Sequence, residues 1–327
     1  MNNKNLKCCI IGSSGHWSMC VDNSYNVEFV GVSAGSDGER IGNVVSKFDK
    51  IAIYDDYIKM INELKPDFCI VDCYIGDHFR VTMDVLKLGC HVLCDKPICI
   101  NDGETEETDI VYNYAKNNGL YVLSMHSMRY EDYIFAAREV VLSGEIGEIC
   151  MMNAQKSYKM GNRPAFYSKR ETYGGTIPWI GTHAFDLIYW FSGKRFREVS
   201  AYHNILHNNG NGEMESVVVC SILLEENIPV TVNLDFKRPQ SAGTHGDDRL
   251  RIVGSEGVLE IIGGESVLIN KNGKQILKPK STISILDDFI NGINGLPTVL
   301  NSEDCRYINE FCLVARNNAD VHKNIIS

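Results

Sequence analysis

Short, unbroken apolar runs separated by stretches with helical spacing fill the first 125 residues, and nothing else in the chain restricts its fold as strongly. Lys7 to Gly12, Glu28 to Ser33, Phe68 to Cys73, His91 to Cys94 and Leu120 to Ser124 read as strands. Asp55 to Leu64, His78 to Leu88 and Glu104 to Asn117, lying between them, place apolar residues at helical intervals. A strand that is apolar on both faces must be covered on both. In an alternating order that means a parallel sheet sandwiched between helices. Ligands of such sheets bind beyond the carboxyl ends of the strands, where Gly12, Cys73 to His78 and Asp95 to Pro97 fall.

From residue 126 the pattern changes. Glu131 to Leu142 and Ala184 to Phe191 read as helices ended by Ser143-Gly144 and Gly193. Longer alternating segments follow: Val199 to His207, Glu215 to Leu224, Pro229 to Phe236, Arg249 to Val253, Gly257 to Ile262 and Ser266 to Ile269. Tight turns at Asn209-Gly210, Gly263-Gly264 and Asn272-Gly273 join an antiparallel sheet. Thr282 to Ile293 and Ser302 to Arg316 close the chain as helices. At 327 residues the chain exceeds what one core serves. The expected architecture is an α/β Rossmann-type domain over 1–125, followed by an α+β domain over 126–327 with a large, mainly antiparallel open sheet. In that sheet Val217, Val219, Ser221 and Leu223 would line one face, and Val218, Cys220, Ile222 and Leu224 the other. Neither face reads as polar, so a homodimer or homotetramer packed through the sheet is expected.

The formal net charge of −10 argues against nucleic acid and anionic membranes as partners. No run approaches a membrane span, and Met1 to Leu6 lacks an apolar signal core, which suits a cytoplasmic protein. The 12 cysteines form no CxxC pair, and most lie in strand-like runs, where cysteine acts as a small hydrophobe.

The chemistry concentrates at four places. Gly12-Ser13-Ser14-Gly15-His16-Trp17 closes the first strand where a dinucleotide fingerprint would lie, with Ser14 and Trp17 at the second and third glycine positions. The second strand ends at Ser33 without the acid that grips the ribose hydroxyls of NAD, so NADP is open too; Ser36 and Arg40 stand where a phosphate contact would come from. Gly89-Cys90-His91-Val92-Leu93-Cys94-Asp95-Lys96-Pro97 places a lysine just past a strand, and Gly181-Thr182-His183 a histidine at a helix start. A lysine can stabilise a developing alkoxide and a histidine can carry the proton, the pair that hydride chemistry needs. Tyr158, Lys159, Arg163, Tyr167 and Lys169 form a polar, aromatic loop suited to a polyhydroxylated or acidic ligand. His183 and Asp186 stand at i and i+3, but no third ligand lies near, so no metal is expected.

These motifs, taken in order, resemble the Gfo/Idh/MocA oxidoreductases, which include inositol dehydrogenases and glucose–fructose oxidoreductase. Gly89 to Pro97 is similar to that family's "aGkHVlcEKP" segment, with Asp95 for the usual glutamate. Asp77-His78 matches its loop histidine, Ser127-Met128-Arg129-Tyr130 its "n-x-R-F", and Ser143 to Gly147 its "G-x-i-G" turn. Gly174-Gly175-Thr176 through Asp186 matches its "GG…D-x-G-x-H-x-x-D" block, and Arg251 to Gly257 its late hairpin. The resemblance runs nearly end to end. It implies catalytic roles for Lys96 and His183, and a nicotinamide cofactor, NAD or NADP. Gly12, Ser13, Ser14, Gly15, His16, Ser33, His78, Asp95, Lys96, Pro97 and Arg129 would hold that cofactor. A sugar or polyol would meet Lys96, Tyr158, Arg163, Trp179 and His183. The family's catalytic aspartate falls at Trp179, which would offer a stacking wall instead. A rival reading is a non-catalytic dinucleotide or sugar sensor of the same fold, for which Lys96 together with His183 would have no chemical purpose.

Overall fold

The apolar runs of the first part become β1 (Leu6–Gly12), β2 (Val27–Ser33), β3 (Ala52–Tyr54), β4 (Phe68–Asp72), β5 (His91–Cys94) and β6 (Val122–Ser124) in the computed structural model, which describes residues 5–21, 27–101 and 106–322. They form one parallel sheet in the order β3-β2-β1-β4-β5-β6. All of β4 is buried, as are the last residues of β1, so both faces are covered as the unbroken apolar runs require. The covering helices are α1 (Ser18–Val21), α2 (Gly42–Val45), α3 (Tyr57–Leu64), α4 (His78–Lys87) and α5 (Glu106–Asn117). Asp56 starts α3 by accepting the N–H of Ile58 at 2.7 Å, the role of a side-chain cap. Residues 104 and 105 of the helix expected over Glu104 to Asn117, and residues 1–4 at the start, lie outside the described residues. The strand order reverses between β1 and β4, which makes their carboxyl tips the place for a ligand.

The chain divides into two compact units, Met1–His126 with Ile283–Glu310, and Ser127–Thr282 with Phe311–Ser327. The first boundary falls at the change of pattern. Residues 283–310 return to the first unit, although the change of pattern at residue 126 places them in the second domain. The reason is packing. Phe289 of α9 (Ile285–Ile293) lies 5.3 Å from Phe68 and 5.7 Å from Tyr121, ring centre to ring centre. Asn309 of α10 (Ser302–Val321) accepts the Cys99 N–H at 3.1 Å and donates to its carbonyl at 3.0 Å.

In the second unit, α6 (Asp132–Leu142), β7 (Ile149–Tyr158), α7 (Arg170–Tyr173) and α8 (Thr182–Ser192) precede a run of strands. These are β8 (Phe196–Asn204), β9 (Val217–Leu224), β10 (Pro229–Asp235), β11 (Gly246–Gly254), β12 (Gly257–Ile262), β13 (Glu265–Asn270) and β14 (Gly273–Ile276). Their order is β14-β13-β12-β11-β7-β10-β9-β8, antiparallel except between β7 and β10. On β9, Val218, Cys220, Ile222 and Leu224 are buried, whereas Val219 and Ser221 are exposed. The expectation that neither face is polar needs correction. The register sets Ser200, Ser221, Thr231, Asn153, Arg251 and Glu260 in one row across the open face. Apolar side chains interrupt it, with Val219 44%, Ile262 47% and Tyr202 55% exposed. Among the described residues no disulfide joins the cysteines, and all of them but Cys150 are buried. Among the described residues no helix is long and apolar enough to cross a membrane.

Candidate active site

Gly12 ends β1 with φ at +95°, and a Cβ there would collide with the Cys73 backbone nitrogen, so only glycine suits the turn. The loop after it is tied to the tips of β4 and β5. Ser14 N–H donates to the Asp72 carbonyl at 2.7 Å, and Trp17 N–H to Asp72 Oδ2 at 2.7 Å. His16 Nδ1 lies 2.8 Å from Asp95 Oδ1. The side chain of Trp17 is buried, so the position of the third fingerprint glycine is filled by an indole in the core.

An acid does reach this loop, from a place the sequence reading missed. Glu39 Oε1 accepts the Ser13 N–H at 3.0 Å and the Ser14 hydroxyl at 2.7 Å. Its Oε2 accepts the N–H groups of Gly35 and Ser36 at 3.1 and 3.2 Å. The signal was present as Ser36-Asp37-Gly38-Glu39, the S-x-x-E spacing in which a glutamate reaches back to the serine N–H. Ser33 is buried, and the Ser36 hydroxyl accepts from Tyr74 N–H at 3.0 Å. Arg40 meets the loop through its carbonyl, which accepts from the Ser13 hydroxyl at 2.6 Å.

Asp95, Lys96 and Pro97 follow β5, with a cis peptide between Lys96 and Pro97. Lys96 is 2% exposed, and its N–H donates to Asp95 Oδ1 at 2.8 Å. His78 is fully buried. Its Nδ1 lies 2.8 Å from the Pro97 carbonyl and its Nε2 3.0 Å from that of Cys73, so it braces the two loops that follow β4 and β5. Burial alone would raise the Asp95 carboxyl, but the charges of His16, Lys96 and His78 outweigh it and hold the group well below the usual range. Asp72 goes the other way. Burial pushes its carboxyl well up and the charge of Asp95 pushes it further, against the N–H groups of Trp17 and Gly15.

In the second unit, a π-helical turn over Ile177–Gly181 leads into α8, with Trp179 inside the turn and His183 as the second helical residue. Such turns insert one extra residue and are frequent at functional sites. His183 is 6% exposed. Asp186, one turn further, is bound by Arg129, with Nη2 2.7 Å from Oδ1 and Nε 3.1 Å from both oxygens. Arg129 therefore anchors the helix that carries His183. The Arg163 guanidinium lies over Phe236 at 4.6 Å and over Tyr167 at 5.3 Å, and Tyr167 meets Trp179 edge-on at 6.0 Å. Tyr158 joins the same group, 6.4 Å from Phe236 and 5.4 Å from His245. Tyr158, Arg163 and Trp179 thus share one chain of ring contacts through Phe236 and Tyr167. Phe236 and His245 belong to it without having been singled out, because each reads as an ordinary strand or turn residue. Lys159 is turned to the Ala242 carbonyl at 2.6 Å.

Among the described residues, one group has metal-ligand spacing: His203, Glu215 and Asp320. Arg170 already stands on both carboxylates, bonding Glu215 and lying 3.1 Å from Asp320. Its cation neutralises the charge that would attract a metal.

Two family models match this chain. One, the oxidoreductase family's NAD-binding Rossmann fold, covers residues 6–126, and the other, the GFO/IDH/MocA C-terminal domain, covers residues 134–260. A solved structure from Thermotoga maritima is 34% identical with a TM-score of 0.92, covering 97% of this chain and 99% of that one. The D-glucoside 3-dehydrogenase of Escherichia coli is 26% identical over 152 residues, 46% of this chain and 42% of that protein. The myo-inositol 2-dehydrogenase of Thermotoga maritima is 22% identical over 221 residues, 68% of this chain and 64% of that protein. The chain spans less than half of the first enzyme and less than two thirds of the second.

Proposed function

Since the chain belongs to the GFO/IDH/MocA oxidoreductase family, whose N-terminal and C-terminal models both match it, we propose that it moves a hydride between NAD and a carbinol or carbonyl carbon of a sugar or polyol. The observation that carries this reading is Lys96, a buried lysine directly after a strand tip, in the unit whose glycine loop lies at the switch point of the sheet. The residues around that loop fit a dinucleotide. Gly12 leaves no room for a side chain, the loop is pinned to the strand tips, and Glu39 presents a carboxylate there. The nicotinamide, when bound, supplies the hydride acceptor or donor.

In this reading Lys96 stabilises negative charge on the substrate oxygen, and His183 takes or returns the hydroxyl proton. Asp186, locked by Arg129, keeps the first turns of α8 in place and with them the His183 ring. Trp179, Tyr167 and Arg163 offer ring faces and a cation to a polyhydroxylated ring. Glu39 favours NAD over NADP, because a carboxylate bonds the ribose hydroxyls and repels a ribose phosphate. The expectation that NADP is open rests on the absence of an acid at Ser33 and takes no account of Glu39. Nicotinamide fluorescence on titrating NADH and NADPH, followed by turnover with aldoses, glucosides and inositols, tests the proposal. Binding of neither nucleotide would overturn it.

We extend the proposal to a second copy of the chain docking on the open sheet face around Val219, Tyr202 and Ile262. Light scattering at micromolar protein should give at least twice the chain mass, and Val219→Asp should reduce it. A monomer in the unaltered protein would refute the docking.

A further inference from the structure

We propose that Asp72 and Asp95 form a carboxyl pair beneath the glycine loop in which Asp95 is ionised and Asp72 holds a proton, and that this proton governs how tightly the loop binds an anionic dinucleotide. The inference rests on the dinucleotide reading of that loop and adds to it a residue that sets affinity.

The register creates the pair. β4 and β5 run parallel with Val71 opposite Cys94, so the next residue on each strand is an aspartate and the two stand side by side at adjacent tips. Both are buried, at 0% and 2% exposure. Both face the same point of the loop: a Cβ on Gly15 would collide with Asp95 Oδ2 and come within 2.8 Å of Asp72 Oδ1. Two carboxylates so placed in a dry site do not both ionise readily.

Their partners decide which one does. Asp95 Oδ1 lies against the His16 ring and accepts the Lys96 N–H, each at 2.8 Å, with the Lys96 charge nearby. Among the described residues no cation is paired with Asp72. Its Oδ2 accepts the Trp17 N–H, and the Gly15 N–H faces the same carboxyl, so only backbone N–H groups favour its ionised form. The other ionisable groups around Asp72 are Glu39, whose charge opposes its ionisation, and the thiols of Cys20, Cys73 and Cys94, all pushed upward by burial. The proton therefore belongs on Asp72. A second negative charge beneath the glycine loop would repel a pyrophosphate bound over it.

The test is the dissociation constant of NADH for the full chain from about pH 5.5 to about pH 9, the range over which buried carboxyls release their proton. The unaltered protein should lose affinity at least about tenfold toward high pH. Asp72→Asn places an uncharged amide where the protonated acid stands, and should keep the low-pH affinity throughout. A flat profile in the unaltered protein, or an Asp72→Asn profile that falls alongside it, overturns the proposal. Infrared spectra of the unaltered protein should also show a protonated-carboxyl C=O band that vanishes as pH rises, and its absence at low pH overturns the pair whether or not any nucleotide binds. Failure to bind NADH and NADPH at every pH, with that band present, would instead overturn the dinucleotide reading and the affinity role, leaving only the protonated pair.

Discussion

The glycine loop of the first unit and the arginine–aromatic group of the second are built on different principles. The loop is held by backbone groups: N–H donors of Ser13, Ser14 and Trp17 meet acceptors on Glu39 and Asp72. The group around Arg163 is held by side chains, a guanidinium between Phe236 and Tyr167 with Trp179 and Tyr158 beyond them. A loop pinned through its own backbone keeps one fixed shape, which suits a ligand that is always the same. Rings and a long cation can be exchanged one at a time, which suits a site whose ligand differs between relatives. Changes in the first region should therefore alter cofactor use, and changes in the second should alter substrate choice.

The largest effect tests whether the first region does more than bind. Lys96→Met should lower kcat by at least about 100-fold, roughly 2.7 kcal/mol, while NADH still binds. Turnover close to that of the unaltered protein would remove Lys96 from the chemistry. Next, Glu39→Gln should shift the ratio of NADP to NAD affinity toward NADP by roughly 30-fold, an effect expected of a carboxylate beside a ribose phosphate. An unchanged ratio in calorimetry would return the choice of nucleotide to some other residue. In the second region Arg163→Ala should raise KM about tenfold and leave kcat and nucleotide affinity nearly unchanged. Loss of nucleotide affinity in that variant would break the contrast between the two regions.

The smallest effect concerns stability. The folded Asp72 carboxyl lies above its unfolded value, so the unfolded chain releases this proton first as pH rises. Across that interval the folded state binds more protons, and stability falls with rising pH by about 1.4 kcal/mol for each unit of separation. The fall begins in the ordinary carboxyl range, where the unfolded group ionises, and stops once the folded group ionises. Asp72→Asn should flatten it, visible as a smaller drop in Tm, by a few degrees, between mildly acidic and mildly alkaline buffer. Identical slopes for the two proteins would count against a raised Asp72.

What the sequence made legible follows from period and burial. The β1, β2, β4 and β5 runs are apolar on both faces and short, which few arrangements besides a covered parallel sheet accommodate. The helix carrying His183 was readable from its apolar spacing and Gly193, which adopts φ +64° at its end. β7 was not, because it lies mid-sheet yet carries Asn153, Gln155 and Lys156 in place of β-branched residues. The buried Lys156 is paired with Asp248, 2.5 Å away on β11, a pairing that no local pattern announces. Glu39 lies several residues beyond the strand tip where an acid was sought. Asp72 read as one polar residue in an apolar run, since its significance depends on which strand becomes its neighbour.

The assignment of residues 283–310 to the first unit has a consequence for how the chain is made. On the ribosome, every residue of the parallel sheet is synthesised before the central part of the second unit, and α9 only after it. Until Phe289 is available, the rings of Phe68 and Tyr121 lack the partner that covers them, and Cys99 lacks Asn309, 210 residues downstream. The second unit waits in the same way for Phe311, whose ring stacks on Phe196 at 3.7 Å. Contacts of such sequence separation slow folding and leave apolar surface bare in the interval. Neither unit can finish its core before α9 and α10 have been made, so the first unit should be a client for chaperones until then.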